Sequence, residues 1–539
     1  MKRGFAFLFL MAAPCAAAGQ SPAPTYWQDI RPVFRKHCTV CHSMKNVAEL
    51  DVSGGLALDT FTATMKGSGG PVVRPKESAD SLLVKLLTTD NVKRRMPLDA
   101  PPLPKETIDL VRRWIDAGAP EGKQPDTTAE TLTTAKSAAT RKLDMVFTTA
   151  AVPPAGLLGK MPPAKLEVGL KIGPLSPVAA VAFSPNGQLL AAGSYGQVAI
   201  WDLNAGKLAK VLHNVLGAVN DLRFSPDGKV LAVAGGQPSA KGDLRLYQTS
   251  DWKLLGVLRG HDDVVFSVAF SPNGKQLASA SFDHLLGLWD VEQLKLVKTF
   301  KAHSDFVYAV AFAPSGQQLY SASKDRTVQV TDVATGKSVF TFSGMDQDVM
   351  AVAVSPDGKN VVSSGFETSI YWWNPQTGER AKAQGGHGVA VHELAFSKDG
   401  KKLVSAAADR TVRIWDGQAG TVLRTISVGS IAYAAAISPN SKLIAAGSFD
   451  GITRLYEEAT GRQLASLVTV RGDGDQAEWL ALTPEGFATG SDPLLGMARW
   501  RMSGQEVNAA PLLPALRRPE QITKALRGET VGNVTFDRK

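Results

Sequence analysis

Two cysteines and a histidine stand in the pattern Cys-x-x-Cys-His near the start of the chain, at Cys38, Cys41 and His42. Two thiols at this spacing can each bond one vinyl group of the same porphyrin, and the adjacent imidazole can then bind the iron as an axial ligand. A zinc site would need about four ligands, and the chain has no second cysteine pair. A thioredoxin-like motif would follow a strand, whereas helical spacing precedes Cys38. The pattern therefore predicts one covalently bound haem c with His42 as its proximal ligand.

The elements around this motif are predicted to be short helices joined by loops. Apolar residues at helical spacing place the motif at the C-terminal end of an amphipathic helix: Tyr26, Ile30, Val33, Phe34 and Val40. Glycine-rich segments at 54–59 and 67–71 are typical of loops. Two further helices are predicted, one over 78–87 and one that starts at Pro104.

A sixth ligand for the iron is predicted at Met96, because its thioether lies on a proline-pinned segment between two helices. The sequence leaves other candidates for this position: Met44, Met65, Met161 and His37. Met44 and His37 are the weaker alternatives, since both are close in sequence to His42 and would not easily reach the opposite face of the haem.

Several short motifs follow one another between residues 25 and 122. They are Cys-x-x-Cys-His, Gly-Leu-x-Leu-Asp (55–59), a Gly-rich turn, Glu-Ser-x-x-Ser-Leu-Leu (77–83), Arg-Met-Pro (95–97) and Trp-Ile-x-x-Gly-Ala (114–119). In this order they resemble the planctomycete-type cytochrome c domain. The resemblance implies a mainly helical haem domain in which Cys38 and Cys41 attach the haem, His42 is the proximal ligand and Met96 the distal ligand. One departure is Leu98, which follows Arg-Met-Pro in place of a second proline.

The first eighteen residues have the features of a secretory signal peptide: a basic start, an apolar run over 5–13 and a small-residue cleavage site that ends at Ala18. The apolar run is too short to span a bilayer comfortably. We expect an exported, periplasmic protein with no transmembrane segment in the mature chain. Cleavage would also remove Cys15 and leave Cys38 and Cys41 as the only cysteines, which suits a pair reserved for thioether bonds.

The composition is that of soluble globular protein, with 44% hydrophobic and 20% charged residues. A length of 539 residues exceeds one ordinary domain. The formal net charge of +9 is spread along the chain without a dense basic stripe, so we expect no nucleic-acid partner. A mild positive charge is compatible with an acidic redox partner.

A second pattern fills the chain after residue 165, where a predicted strand ending in Phe-Ser-Pro-x-Gly, or a variant of it, recurs. The third position of this motif falls at 185, 226, 272, 314, 356, 398, 439 and 484, in steps of 41, 46, 42, 42, 42, 41 and 45 residues. This period predicts a β-propeller of four-stranded blades. An early strand over 166–172 would close the ring by completing the degenerate last repeat, over 478–502. Eight blades are therefore favoured, with seven as the alternative.

Further residues recur at fixed places in these repeats. Trp-Asp pairs occur at Trp201-Asp202, Trp289-Asp290 and Trp415-Asp416, histidines after Gly or Ala at His261, His303 and His387, and aspartates in the hairpins at Asp283, Asp325, Asp409 and Asp450. Period and position together resemble the WD-repeat family over residues 166–503. The resemblance implies that these His and Asp residues join hydrogen-bond networks that hold each blade together, so we expect structural and not catalytic roles for them.

The predicted fold class is therefore multidomain: a small, mainly α cytochrome c-like domain followed by an all-β propeller. The predicted order is a signal peptide (1–18), a cytochrome c domain (19–122), a linker (123–165) with a short helix near 138–146, a WD-repeat propeller (166–503) and a C-terminal tail (504–539).

Three functions are compatible with this organisation. The favoured one is a non-enzymatic electron carrier whose propeller docks a redox partner protein or complex. The alternatives are a haem-dependent oxidoreductase and a haem-based redox or gas sensor, each with a ligand site on the propeller. Three histidines lie outside the repeat positions, at His213, His284 and His392, and their spacing suggests no common site. We therefore assign no catalytic residue.

Overall fold

The computed structural model of the protein describes most of the chain. The described residues are 23–31, 33–34, 38, 56–58, 60–68, 70–91, 96, 103–123, 144–154, 158, 163–172, 174–239, 241–471 and 477–536. The chain divides into two compact units, residues 1–140 and 141–539.

The first unit contains four short helices among its described residues. They are α1 (Tyr26–Ile30, a π-helical turn), α2 (Phe61–Lys66), α3 (Leu82–Thr88) and α4 (Lys105–Asp116). Helices α3 and α4 confirm the two predicted over 78–87 and from Pro104, although α3 starts later because residues 75–80 form turns. The first predicted helix is confirmed in part: Arg31, Val33 and Phe34 are also helical, and the backbone N–H of Cys38 donates to the carbonyl of Phe34 over 2.7 Å.

Aromatic side chains form the core of this unit. Tyr26, Phe34 and Trp114 are fully buried, with ring centroids of Tyr26 and Trp114 6.1 Å apart and those of Phe34 and Trp114 6.4 Å apart. The hydroxyl of Tyr26 donates to the carbonyl of Leu58 over 2.9 Å, and the indole N–H of Trp114 donates to the carbonyl of Pro120 over 3.0 Å. The rings of Tyr26 and Trp114 are therefore buried while their polar groups form hydrogen bonds, and this combination stabilises the small core.

The second unit is built almost entirely of strands. Its first strands are β1 (Asp144–Thr148), β2 (Leu166–Lys171), β3 (Ala180–Phe183), β4 (Leu189–Asp202), β5 (Lys207–Ala218), β6 (Asp221–Phe224), β7 (Val230–Gln237), β8 (Lys241–Gln248), β9 (Leu254–Leu258), β10 (Val265–Phe270), β11 (Gln276–Ser281), β12 (Leu286–Asp290), β13 (Lys295–Phe300), β14 (Val307–Phe312), β15 (Gln318–Ser323), β16 (Val328–Asp332) and β17 (Ser338–Phe342).

The elements that follow in the same unit are β18 (Val349–Val354), β19 (Val361–Gly365), β20 (Ser369–Trp373), β21 (Arg380–Gly385), β22 (Val391–Phe396), β23 (Lys402–Ala407), β24 (Thr411–Asp416), β25 (Val422–Ser427), β26 (Ala432–Ile437), β27 (Leu443–Ser448), β28 (Thr453–Glu457), β29 (Gln463–Arg471), β30 (Ala477–Leu482), β31 (Ala488–Gly490), α5 (Asp492–Met497), β32 (Ala498–Met502), β33 (Gln505–Glu506), α6 (Leu513–Leu516) and α7 (Pro519–Leu526). The prediction of a mostly β repeat region is therefore confirmed.

Consecutive strands pair into antiparallel sheets, one sheet for each repeat. Four sheets contain four strands in chain order: β10–β13, β14–β17, β18–β21 and β22–β25. Strands β3–β5 and β6–β9 form two further antiparallel groups, which a single parallel bridge between Gly217 and Gly236 joins into one sheet. Strands β26–β31 form the last sheet of the series.

The recurring Phe-Ser-Pro-x-Gly motif is a tight turn between the first two strands of a repeat. In the third repeat the hydroxyl of Ser271 donates to the side-chain oxygen of Asn273 over 2.8 Å and accepts the N–H of Gln276 over 2.9 Å. Gly274 has a φ of 71°, which favours glycine. Because the serine and the glycine act within the turn itself, the motif can be read from sequence without knowledge of the fold.

The first strands of the repeats contact one another in a closed succession. In order they are β3, β6, β10, β14, β18, β22 and β26, and β26 in turn contacts β3. We call these seven the innermost strands. The sequence favoured eight blades, but the last repeat contributes no innermost strand. Instead β30 pairs with β29 at the outer edge of the last sheet, which satisfies backbone groups that an exposed edge would leave unpaired.

The early strand predicted over 166–172 does pair with the end of the last repeat, as expected. Leu166 lies opposite Met502 in the register of β2 and β32. These two strands join β1 and β33 in a separate four-stranded sheet, however, and do not complete a sheet of the repeat series. Strand β1 also replaces the end of the helix predicted near 138–146. The reason is its period of two, since Met145 and Phe147 pack into the core beside this sheet while Val146 is exposed.

Helix α7, in the predicted C-terminal tail, packs against both the first and the seventh repeats. Its buried Ile522 and Leu526 belong to one apolar cluster with Leu203 of the first repeat and Leu443 of the seventh. The guanidinium of Arg527 also donates to the carbonyl of Asn204 over 2.9 Å. The helix therefore covers the junction between the first and seventh repeats, where β26 contacts β3 and the ring of innermost strands closes. We call this junction the seam.

Replacing Leu526 with alanine is expected to destabilise the second unit by about 2–5 kcal/mol, because it opens a cavity in the cluster that spans this seam. Lys524→Ala on the exposed side of the same helix should change the free energy of unfolding by less than about 0.5 kcal/mol. Urea denaturation followed by tryptophan fluorescence measures both variants. Equal midpoints for the two would show that α7 does not stabilise the closure.

Candidate functional sites

Two of the four predicted haem residues lie within the described part of the chain, and both contact the core of the first unit. Cys38 is partly buried and packs against the cluster that contains Phe34 and Trp114. Met96 is also partly buried against this cluster, and its N–H donates to the carbonyl of Leu86 over 2.8 Å, which ties it to the end of α3. The structure therefore places a thiol and a thioether against the same apolar core.

Cys41 and His42 lie outside the described residues, as do the alternative ligands Met44, Met161 and His37. Met65 of α2 is described, and it packs against the same cluster as Met96. Two thioethers thus border this core, and among the described residues Met65 is the one alternative to Met96. No group of three or more His, Cys, Asp or Glu side chains suited to a metal ion occurs among the described residues.

The residues around Cys38 and Met96 suit a haem. Haem c needs an apolar surface to cover the porphyrin, and its iron accepts a methionine thioether as an axial ligand. Cys38, Met65 and Met96 pack, partly buried, against a described core of aromatic and aliphatic side chains. Cys38 and Met96 border it with the two kinds of sulfur that a thioether bond and an axial ligand require.

The His and Asp residues of the repeats form the expected networks. In the fourth repeat, Nδ1 of His303 lies 2.9 Å from a carboxylate oxygen of Asp325, and Nε2 lies 2.8 Å from the hydroxyl of Ser321. Two other repeats have the same arrangement at similar distances, with His261, Asp283 and Ser279 in one and His387, Asp409 and Ser405 in the other. Trp289 and Trp415 add an indole N–H to the serine hydroxyl. These networks join the strands of one repeat.

In the seventh repeat the position of the histidine holds Val428, and an arginine from the hairpin pairs with the aspartate instead. Arg454 donates to the carboxylate of Asp450 over 2.6 Å and to the hydroxyl of Ser448 over 2.8 Å. The predicted aspartate is therefore paired, but with a partner on its own hairpin. A guanidinium is longer than an imidazole and can reach both groups from the neighbouring strand.

Below about pH 4 we expect the stability contributed by these networks to fall. Burial alone would raise the pKa of Asp325, but hydrogen bonds from His303 and Thr327 outweigh it and lower the pKa to about 2. A carboxyl group whose pKa is lowered in the folded state stabilises the fold above its unfolded pKa, and this contribution disappears as pH falls through the folded pKa. The contribution is about 2 kcal/mol at neutral pH. Asp325→Asn should lower the unfolding midpoint at neutral pH and shrink the difference from wild type near pH 2, as measured by urea titrations at several pH values.

A cavity of about 110 Å³ lies on the axis of the ring of innermost strands. Its lining comes from or beside all seven of these strands. One layer consists of the second residue of five of them: Phe266, Tyr308, Met350, His392 and Tyr433. A second group is charged: Asp221, Arg223 and Glu393. We call this space the axial cavity.

One nitrogen of Arg223 serves both carboxylates of the axial cavity. Its Nη2 lies 3.3 Å from Asp221 and 3.3 Å from Glu393, which is 170 positions further along the chain. Burial raises the pKa of Glu393 to about 7, and Arg223 offsets only part of this effect. Burial also lowers the pKa of His392, which favours its neutral form. Because the two carboxylates share a single guanidinium, Glu393 changes its protonation state near neutral pH.

A further set of aromatic residues occupies one equivalent position in four of the repeats. An aromatic stands ten residues after the third position of the turn motif in four repeats, at Tyr195, Phe282, Phe366 and Phe449. Three of them are largely exposed: 66% for Tyr195, 51% for Phe366 and 53% for Phe449. Phe282 stacks on Phe266 of the axial cavity at 5.2 Å, and Phe449 lies 6.4 Å from Tyr433. Aromatic surface is thus continuous from solvent into the axial cavity.

Neither the axial cavity nor this set of aromatic residues was predicted from the sequence. The signal for the aromatic set was present, since an aromatic recurs at a fixed distance from the turn motif. The signals for the cavity were charged residues inside strands that are otherwise apolar, at Asp221, Arg223 and Glu393. Their proximity could not be read from sequence because it depends on the closure of the ring.

Two protein families match segments of the chain. Seven segments match the family described as WD domain, G-beta repeat, at 169–202, 206–248, 252–290, 294–332, 336–374, 378–416 and 420–457. Residues 38–99 match the family described as Planctomycete cytochrome C. The chain therefore belongs to the WD-repeat family and carries a planctomycete cytochrome c domain before its repeats. Among the helices of the described residues, none is both long and apolar enough to cross a membrane.

Curated relatives are similar to parts of the chain. WD repeat and SOCS box-containing protein 1 of Xenopus tropicalis is 35% identical over 113 residues, which are 21% of this chain and 26% of the relative. WD repeat-containing protein VIP3 of Arabidopsis thaliana is 32% identical over 130 residues, 22% of this chain and 40% of the relative. The human Intraflagellar transport protein 122 homolog is 42% identical over 71 residues, 13% of this chain and 5% of the relative. The chain thus spans about a quarter of the length of the first of these relatives.

Proposed function

We propose that this protein is a monohaem c-type cytochrome that transfers electrons and uses its WD-repeat unit to dock a redox partner. The observation that carries the proposal is the placement of Cys38 and Met96 against one aromatic core, inside the segment that matches the planctomycete cytochrome C family. An electron carrier needs a redox centre and a means of selecting its partner. In this proposal the first unit supplies the redox centre and the second unit supplies the surface that selects the partner.

Four residues would hold the haem. Cys38 and Cys41 would form the thioether bonds, and His42 and Met96 would bind the iron. When bound, the haem supplies a reversible one-electron couple. The buried rings of Phe34 and Trp114 belong to the core against which Cys38 and Met96 pack, and a hydrogen bond to Leu86 fixes the backbone of Met96.

The proposed location is the periplasm, because a signal peptide over 1–18 would export the chain to the compartment where c-type haem is attached in bacteria. The proposed shape of the second unit is a seven-bladed propeller. Support for seven blades comes from the closed succession of seven innermost strands. The exposed rings of Phe366 and Phe449 offer apolar contact area for the partner, since large exposed apolar side chains on a soluble protein are typical of binding surfaces.

Absorption spectroscopy of the purified mature protein tests the proposal. We expect low-spin haem c bands, reversible one-electron reduction in a potentiometric titration, and one haem per chain in a pyridine haemochrome assay. Absence of haem would contradict the proposal. A high-spin haem that binds carbon monoxide without any substitution would instead favour a gas sensor.

Met96→Ala is expected to convert the haem to a high-spin form that binds external ligands, because the iron loses its axial thioether. Met65→Ala is the matched control, since this methionine borders the same core. It should leave the low-spin spectrum unchanged. Should Met65→Ala produce the high-spin form and Met96→Ala not, Met65 would be the distal ligand.

A further inference from the structure

The axial cavity holds more negative than positive charge. Its lining contains the carboxylates of Asp221 and Glu393 and one guanidinium, that of Arg223. The exposed fraction of these side chains is 8% for Asp221, 16% for Glu393 and 36% for Arg223, so the carboxylates are the more deeply enclosed. With both carboxylates ionised the cluster carries a net charge of −1, in a space large enough for several water molecules.

The two carboxylates differ in how far their acceptor capacity is used. Asp221 accepts the hydroxyl of Ser267 over 3.0 Å and the backbone N–H groups of Val268 and Leu222 over 2.9 and 2.8 Å, in addition to Arg223. A carboxylate has about four lone-pair sites. Asp221 is therefore fully engaged and serves to fix Arg223 and the neighbouring strands.

Glu393 accepts fewer bonds. Its described partners are the N–H of Ala435 at 3.0 Å and Nη2 of Arg223 at 3.3 Å. The second contact is longer than the roughly 2.7–2.9 Å of a strong charge-assisted bond. Glu393 can therefore accept further hydrogen bonds. The cavity that surrounds it contains two carboxylates but one guanidinium.

The walls beside Glu393 suit a cation. Phe266, Tyr308 and Tyr433 line the cavity, and the face of an aromatic ring attracts an ammonium or guanidinium group. No lysine lines the described cavity, and its histidine, His392, has a pKa lowered by burial. Phe266 of the lining also stacks on the half-buried ring of Phe282, which extends the aromatic surface beyond the cavity.

We propose that the axial cavity is a binding site for one alkylguanidinium or alkylammonium group. The carboxylate of Glu393 would accept hydrogen bonds from this group, and the aromatic side chains of the lining would surround it. The group can belong to a free small cation or to an arginine or lysine side chain of a protein partner. The site makes no use of the haem, so it stands independently of the electron-transfer proposal.

Binding at this site should depend on pH. The titratable and charged groups that face Glu393 are Arg223 and Asp221 from β6, His392 beside it on β22, Tyr308 from β14 and Tyr433 from β26. Tyr308 donates to Asp348 over 3.3 Å, and burial raises its pKa to about 12, so it stays neutral. Glu393, with a pKa of about 7, is thus the group that changes charge between weakly acidic and weakly basic solution. A cation would bind its ionised form and release a proton.

Isothermal titration calorimetry of the full-length mature protein tests the site. The probes are methylguanidinium chloride, methylammonium chloride and the peptide Gly-Arg-Gly. We expect saturable binding near pH 8 that weakens roughly tenfold near pH 6, as only about a tenth of Glu393 is then ionised. Titrations near pH 7 in two buffers of different ionisation enthalpy should detect proton release. Saturation by the small cations assigns the site to a free ligand, and saturation by the peptide alone assigns it to a partner side chain.

Glu393→Gln should weaken binding by roughly 10- to 100-fold and abolish its pH dependence. Glu292→Gln is the matched control, since it removes the same charge from an exposed turn outside the cavity, and it should bind as wild type does. Wild-type protein that gives no saturable signal with any probe would overturn the proposal, as would wild-type affinity in Glu393→Gln. If Glu393→Gln does not fold, wild-type binding without pH dependence or proton release would overturn it equally.

Discussion

Mature protein in which Cys38 and Cys41 are both replaced by alanine is expected to retain no haem after acid-acetone extraction. The thioether bonds are the only covalent links that a Cys-x-x-Cys-His motif provides, so removal of both thiols leaves a haem that organic solvent can extract. Each single variant should keep one bond and shift the absorption bands, because one vinyl group stays unreacted. Pyridine haemochrome spectra before and after extraction measure all three.

Cys15→Ala is the control for this experiment, because it changes a cysteine outside the motif and inside the proposed signal peptide. It should leave haem content unchanged. His42→Ala should separate attachment from ligation, since it removes an axial ligand and leaves both thiols in place. Haem that survives extraction in the double variant would show that the motif is not the attachment site.

Replacing His303 with alanine is expected to destabilise the second unit by about 3 kcal/mol. The imidazole bonds Asp325 on one side and Ser321 on the other, and its side chain is fully buried. Its loss leaves a buried carboxylate and a buried hydroxyl short of partners, which is the costly way to break such a network. Denaturation in urea, followed by circular dichroism in the β region, measures the change.

His284→Asn is the matched control. This histidine lies outside the repeat positions and has a φ of 71°, a conformation that asparagine tolerates. Its substitution should change the free energy of unfolding by less than about 0.5 kcal/mol. If the two variants were equally stable, the networks would contribute nothing measurable to the fold.

Features that act over a few residues were predictable from sequence. The turn motif is one, because Ser271 and Gly274 complete it within the turn itself. The repeat period is another, since the same residue types recur at the same spacing. That His303 and Asp325 join a network followed from the resemblance to the WD-repeat family, and the structure confirms it. Cys38, Cys41 and His42 were identified from their spacing, and Met96 from its place beside a proline between two helices. Cys38 and Met96, the two that are described, do border one core. In α4, Val111 and Trp114 stand three residues apart, which is helical spacing, and both are buried in that core.

Features that depend on which distant segments meet were decided by tertiary structure. Eight sequence repeats yield seven innermost strands, because β30 pairs at the outer edge of the last sheet and β2 joins a separate sheet with β32. A strand has the same local pattern whichever edge it pairs with, so the sequence could not distinguish these outcomes. Only closure of the ring brings Arg223 to Glu393, 170 positions away, and builds the axial cavity. The chain by itself determined its turns, repeats and haem motif through local chemistry, while the site on its axis exists because seven distant strands converge there.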